Sequence, residues 1–167
     1  MDTRDIYFLP LKEKVQVVIL GTGDSYYEWF LKDLEHSYRG KLSVIIAFNQ
    51  DLSRKIYASS DLFLMPSISE PCGLAQMIAC RYGTLPIVRK TGGLADSIKD
   101  ISKPKGIGYV FDNIDPNEMY AKIKSALNDF EDKEAWNKAV LKAMKTDFGW
   151  SQSAKKYVEM YEELLNK

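Results

Sequence analysis

Ser60-Asp61-Leu62-Phe63-Leu64-Met65-Pro66-Ser67-Ile68-Ser69-Glu70-Pro71-Cys72-Gly73-Leu74-Ala75-Gln76-Met77 is the stretch from which the rest of the chain can be read. It opens with an apolar run short enough to be a buried strand. Residues 74–82 have the composition of a helix. Pro71 suits the start of that helix, and Gly73 lets backbone approach a ligand with no Cβ in the way. Glu70 therefore stands where a strand gives way to a helix N-terminus. Free N–H groups and the helix dipole favour a phosphate there, and in an α/β sheet this edge is where ligands bind. An ordinary capped turn accounts for the same spacing, and on these residues alone both readings stand.

Upstream, Val15-Gln16-Val17-Val18-Ile19-Leu20 reads as a strand buried on both faces. Gly21-Thr22-Gly23-Asp24 ends it, and a helix follows with Trp29, Phe30 and Leu34 on one face. Leu42-Ser43-Val44-Ile45-Ile46-Ala47-Phe48 is the next strand, followed by a helix over 52–59. Downstream, a strand over 83–89 runs into Thr91-Gly92-Gly93 and a short helix to about Lys99. A last strand covers 108–111, and helices span 117–128, 133–145 and 151–166. The final helix places Ala154, Tyr157, Val158, Tyr161, Leu164 and Leu165 at helical spacing. Strands alternating with helices at this pace predict βαβ units: one Rossmann-like α/β domain over 1–167, a parallel sheet flanked by helices, with extra helices at the C-terminus. Residues 1–14, with the apolar Ile6-Tyr7-Phe8-Leu9, fit no element.

The chain has 167 residues, enough for one buried core. Lysine plus arginine and aspartate plus glutamate number 23 each, so no excess of positive charge argues for nucleic acid. No apolar run reaches membrane-spanning length, and the N-terminus lacks a signal peptide's pattern. Cys72 and Cys80 lie about 12 Å apart along one predicted helix, too far for a disulfide, which suggests a reducing, cytoplasmic setting. One histidine and two cysteines make a zinc site an unfavourable reading.

Gly21-x-Gly23 follows a strand, but Tyr26 stands where a dinucleotide fingerprint needs its third glycine. A tight turn with Asp24 as N-cap explains it better. Phe48 ends its strand on the same sheet edge as Glu70. It could stack on a flat base, though strand-end aromatics are more often core. Thr91-Gly92-Gly93 is a second strand-to-helix turn, and two such turns could offer several N–H groups to a diphosphate. His36 reads as a surface residue, and Cys72 has no base partner that would make it a nucleophile. Trp29, Trp136 and Trp150 read as packing; Lys103, Lys105 and Lys122 read as solvated.

With these residues in view, the chain resembles the C-terminal half of bacterial glycogen synthases and plant starch synthases, retaining glucosyltransferases of the GT-B fold. The likeness rests on Ile19-Leu20-Gly21-Thr22-Gly23-Asp24, on the stretch 60–67, and on Glu70-Pro71-Cys72-Gly73-Leu74. It continues through Arg81-Tyr82-Gly83-Thr84-Leu85-Pro86, Thr91-Gly92-Gly93-Leu94-Ala95-Asp96, Trp136 and Asp147-Phe148-Gly149-Trp150-Ser151. It runs from about residue 15 to the end.

The resemblance implies that Glu70 is the active-site carboxylate, meeting the donor sugar and offsetting charge at its anomeric carbon. Cys72, Gly73 and Leu74 would line sugar and diphosphate with backbone, Phe48 would stack on adenine, and Thr91 and Gly92 would border the site. It implies no cofactor and no metal, so helix N-termini and basic side chains would meet the diphosphate. The implied donor is ADP-glucose, with UDP-glucose as the alternative. The implied acceptor is an α-1,4-glucan held by an N-terminal domain that this sequence lacks, so the chain alone is expected to be inactive. The implied location is the cytoplasm, or a plastid in a plant.

The family's C-terminal domain opens with a strand and helix bearing an arginine and a lysine. Residues 1–14 offer only Arg4, Lys12 and Lys14, at the wrong spacing. Ala75 replaces a common threonine or asparagine, and Ile78 stands where the wider superfamily has a second glutamate. A non-catalytic partner-docking module and another GT-B transferase of sucrose or trehalose type are the alternative readings.

Overall fold

The computed structural model describes residues 10–166. A 3-10 turn, Pro10–Lys12, precedes β1 (Val17–Gly21), α1 (Ser25–Ser37), β2 (Leu42–Ile46), α2 (Gln50–Ser59) and β3 (Leu62–Met65). Then come α3 (Ala75–Tyr82), β4 (Leu85–Arg89), α4 (Gly92–Ser97), β5 (Tyr109–Phe111), α5 (Pro116–Glu131), α6 (Lys133–Lys145) and α7 (Trp150–Leu165). The segment Ile6-Tyr7-Phe8-Leu9 lies outside the described residues.

Local chemistry sets these boundaries. Asp24, Asn49 and Asp115 cap α1, α2 and α5 by accepting from the amides of Tyr26, Leu52 and Asn117. Pro116 opens α5, where its missing N–H costs nothing. Gly83 closes α3 at φ 86°, a left-handed conformation that favours glycine.

All strand pairs are parallel, as the alternation of strands and helices predicts, but they form two ladders. In one, β1 pairs with β2, Val17 opposite Leu42 and Gly21 opposite Ile46. In the other, β4 lies between β3 and β5, with Leu62 opposite Leu85 and Ile87 opposite Tyr109. β1 and β3 have one partner strand each among the described residues.

Each ladder has its own core. Leu85, Ile87 and Val88 of β4 are buried with Leu94, Ile98, Tyr109, Phe111, Met119, Ile123, Ala126, Trp136 and Ala143. Phe130 meets Trp136 edge-on, ring centroids 5.0 Å apart. The smaller cluster gathers Leu11, Leu31, Leu34, Leu42 and Val44.

Three expectations change, and the last helix adds an observation. The first strand is not buried on both faces: Val17 and Ile19 pack on the Leu31–Leu34 cluster, while Val18 on the opposite face is 46% exposed. Trp29 and Trp150 do not pack but are 66% and 85% exposed, whereas Trp136 is core. Lys122 is not a solvated cation, since its ammonium pairs with Asp100 at 2.9 Å. The apolar spacing of α7 is present, yet Tyr157, Val158, Tyr161, Leu164 and Leu165 remain exposed. No helix among the described residues is long and apolar enough to cross a membrane.

Candidate functional site

The carboxyl ends of β3 and β4 carry two turns that pack on each other. After Met65 the chain runs through Ser67 and Ile68 to Glu70. Arg89, the last residue of β4, fixes this loop: its Nε donates to the Ser67 carbonyl at 2.8 Å and its guanidinium also donates to the Ile68 carbonyl. Gly73 follows at φ 71°. Helix α3 begins at Ala75, so Pro71 lies in the turn ahead of the helix rather than in its first turn, as the sequence suggested. The N-cap residue, Leu74, has no side chain that can accept from the first amides of α3.

The second turn, Thr91-Gly92-Gly93, is seated against the first. The Gly93 amide donates to the Glu70 carbonyl at 3.1 Å. A Cβ on Gly93 would stand 2.5 Å from Cys72 Cα, and one on Gly92, at φ 41°, would overlap the Glu70 carbonyl oxygen. Both glycines are therefore required by the close approach of two backbones. Thr91 precedes α4 in an extended conformation with no side-chain cap bond.

Gln76 ties the two turns from beneath and is fully buried. Its Nε2 lies 3.2 Å from the Cys72 carbonyl, 3.0 Å from the Gly73 carbonyl and 3.1 Å from Ser97 Oγ. The Ser97 hydroxyl in turn donates to the Gly93 carbonyl at 2.7 Å. Gln76 Oε1 is buried with no hydrogen-bond partner among the described residues.

Glu70, Cys72, Gly73 and Leu74 thus share one loop, with Thr91 and Gly92 beside it. Glu70 is half-buried and forms no ion pair among the described residues. Cys72 is exposed; Cys80 is buried, and desolvation pushes its thiol up to about 12. Phe48 belongs to the other ladder, two residues past the end of β2. It is 85% exposed, so the core reading fails and the ring is free to meet a flat partner. The Gly23 amide donates to Glu28 at 2.8 Å, which makes Gly21-x-Gly23 part of a capped turn. His36 is exposed. Among the described residues no group of three or more histidine, cysteine, aspartate or glutamate side chains could hold a metal.

Sequence reading missed Gln76, Arg89 and Ser97. Gln76 shares a helix face with buried Ala79 and Cys80, a polar residue in an apolar stripe. Arg89 ends an otherwise apolar strand. Both irregularities were visible, but their partners were not.

Residues 7–143 match the family model for glycosyl transferases group 1. The chain is 50% identical over 157 residues to a glycogen synthase of Clostridium perfringens, an alignment covering 93% of this chain and 33% of that protein. It spans about a third of the length of such curated relatives. The catalytic domain of starch synthase IV from Arabidopsis thaliana, solved with ADP and acarbose, superposes with a TM-score of 0.82 at 37% identity, over 97% of this chain and 34% of that one. A sucrose-phosphate synthase from Thermosynechococcus elongatus, 19% identical, shares the fold with a TM-score of 0.68 over 98% of this chain and 42% of that one.

Proposed function

The chain belongs to the glycosyl transferases group 1 family, and from that membership we propose that it is the donor-binding domain of a glycogen or starch synthase. In this reading it holds ADP-glucose while glucose passes, with retention, to the end of an α-1,4-glucan. The observation that carries the reading is the seating of the Glu70–Cys72 loop on Gly92 and Gly93. That contact joins the loop bearing Glu70 to the second glycine turn beyond the carboxyl ends of β3 and β4, which supports the reading.

Each residue then has a task set by its chemistry. Glu70 faces the sugar and offsets the positive charge that grows at the anomeric carbon as the glycosidic bond breaks. The departing diphosphate gains negative charge, and the uncapped amides at the start of α3, with backbone of Gly73, Leu74, Thr91 and Gly92, meet it without a metal. Cys72 lines the sugar with its backbone. Phe48 stacks on the adenine through its open face. The relative solved with ADP supports adenine over uracil as the donor base. The acceptor glucan contacts polypeptide outside this chain, so the chain alone should make no glucan.

A chimera joining this chain to the rest of the Clostridium perfringens relative tests the reading. ADP-glucose should be its donor, and Glu70→Gln should lower kcat by about a hundredfold or more while ADP affinity stays within about threefold. Undiminished transfer by Glu70→Gln, or preference for UDP-glucose, overturns it.

A further inference from the structure

Helix α3 turns Ala79 and Cys80 into the core, and on the same face, one turn earlier, it carries a glutamine. Gln76 is as fully buried as they are. A buried amide is costly unless both of its ends find partners. Here only one end does. Oε1 has no partner among the described residues, whereas Nε2 has three acceptors within reach of its two hydrogens. An apolar side chain of similar size would fill the same space and leave no orphan oxygen. What Gln76 supplies is therefore its pair of donors.

Those donors act on peptide planes. The Cys72 and Gly73 carbonyls lie 3.2 and 3.0 Å from Nε2. A trans peptide is flat, and its C=O and N–H point in opposite directions. Turning these two carbonyls toward the buried side chain thus turns the amides of Gly73 and Leu74 the other way, out of the core. Neither amide donates to another group among the described residues. Gly73 keeps the stack tight, since a Cβ there would stand 2.7 Å from Gln76 Oε1. The third acceptor, Ser97 Oγ, carries the constraint onward by donating to the Gly93 carbonyl. With Arg89 on the carbonyls of Ser67 and Ile68, Glu70 lies between two anchored stretches of backbone.

We propose that Gln76 is a positioning residue for glucosyl transfer: by holding the Cys72 and Gly73 carbonyls inward, it aims the Gly73 and Leu74 amides at the departing diphosphate. This rests on the donor-binding reading. As the bond from the anomeric carbon to the diphosphate oxygen breaks, its electron pair stays on that oxygen. The glucan hydroxyl bonds to the carbon and releases its proton. N–H groups already turned toward the oxygen stabilise its growing charge without having to reorganise. Gln76 touches neither sugar nor diphosphate and acts only through the two peptide units.

Gln76→Met tests this beside Ser97→Ala. Methionine keeps the length of the side chain, loses the donors and removes the orphan oxygen. Ser97→Ala cuts the link to the second turn but leaves both carbonyls on Nε2. In the chimeric enzyme Gln76→Met should lower kcat at least about tenfold, a larger factor than its effect on ADP affinity. Ser97→Ala should lower kcat by no more than about threefold. In the chain alone, the Gly73 and Leu74 amide proton resonances should move downfield as ADP is added in excess, and should stay in place in Gln76→Met. Equal losses of kcat in the two variants overturn the proposal, because the link between the turns would then set the rate. A folded Gln76→Met with unchanged kcat overturns it too, as does ADP that binds the wild-type chain without moving those two resonances. Where Gln76→Met unfolds, the wild-type titration decides. Each of these results leaves the donor reading standing. That reading falls, and this one with it, if ADP moves no resonance of the chain and the chimera transfers nothing from ADP-glucose.

Discussion

The amide of Gly93 donates to the carbonyl of Glu70 at 3.1 Å, and through this bond the turn after β4 carries the turn after β3. The Glu70 carboxylate sits on a backbone whose position is set by another βα unit. A Cβ on Gly93 would stand 2.5 Å from Cys72 Cα and carbonyl oxygen, so backbone would have to shift. Gly93→Ala should therefore destabilise the chain by about 1–3 kcal/mol and abolish nucleotide binding. Urea denaturation read with calorimetric titration of ADP checks both; unchanged stability would mean the turns do not bear on each other.

Gln76 should behave differently from an ordinary buried polar residue. Replacing it with leucine removes the amide whose two N–H groups are shared among the Cys72 and Gly73 carbonyls and Ser97 Oγ, leaving part-buried acceptors short of a donor. The expected loss is about 1–3 kcal/mol. Because the two turns lose their common tie, ADP affinity should fall by more than the loss of folded chain explains. Titration well below the melting temperature separates the two effects.

Arg89 offers the complementary case. Its guanidinium holds the carbonyls of Ser67 and Ile68 in the loop leading to Glu70, and it lies at the rim of the core rather than inside it. Arg89→Lys keeps the charge but loses the planar fork. Stability should change by under about 1 kcal/mol, while kcat of the chimeric enzyme falls at least about tenfold. A kcat unaltered by Arg89→Lys would show that the loop holds its position unaided.

How far this arrangement could be read from sequence follows from what each residue interacts with. Asp24, Pro116 and Gly83 are legible because a cap or a left-handed turn is decided within a few residues. The Glu70–Leu74 loop and Thr91–Gly92 could be placed on one sheet edge because strand direction follows from βαβ alternation. The break between β1 and β3 could not, since an apolar strand has the same sequence whether or not its neighbour is present. Phe48 was ambiguous for the same reason: burial depends on what lies across from it, and here little does. Trp29 and Trp150 misled because helical spacing marks a face without saying whether anything covers it. Gln76 was invisible as a tie because its partners come from residues up to 21 positions away.

Reactivity should divide the two cysteines. Cys72 is exposed in the turn, whereas Cys80 is fully buried and desolvation holds its thiol up at about 12. At pH 8 an aromatic disulfide reagent should modify one thiol within minutes and the second only on denaturation. Saturating ADP-glucose should slow the first reaction in the chimeric enzyme if the nucleotide sugar covers Cys72. Two thiols reacting at equal rates would contradict the packing of α3.

Acid should open the sheet at its outer edges. Asp100 is partly buried, which opposes ionisation. Hydrogen bonds from Ser102, Lys122 and the Val110 amide outweigh that and hold its carboxyl well below the usual range. Glu35 is also lowered, by the Val44 amide first and then by Lys32. A carboxyl whose folded pKa is depressed binds fewer protons folded than unfolded. Its contribution is therefore complete above the unfolded value of about 4 and fades as pH falls toward the folded value. Stability should accordingly drop between about pH 5 and pH 2. Asp100→Asn keeps the shape and removes the titration, so it should flatten that slope while lowering stability at pH 7. Urea midpoints across this range check the sign, and hydrogen exchange checks the place: the Val44 and Val110 amides should lose protection before those of β4. An acid limb that Asp100→Asn leaves unchanged would assign the pH dependence to other carboxylates.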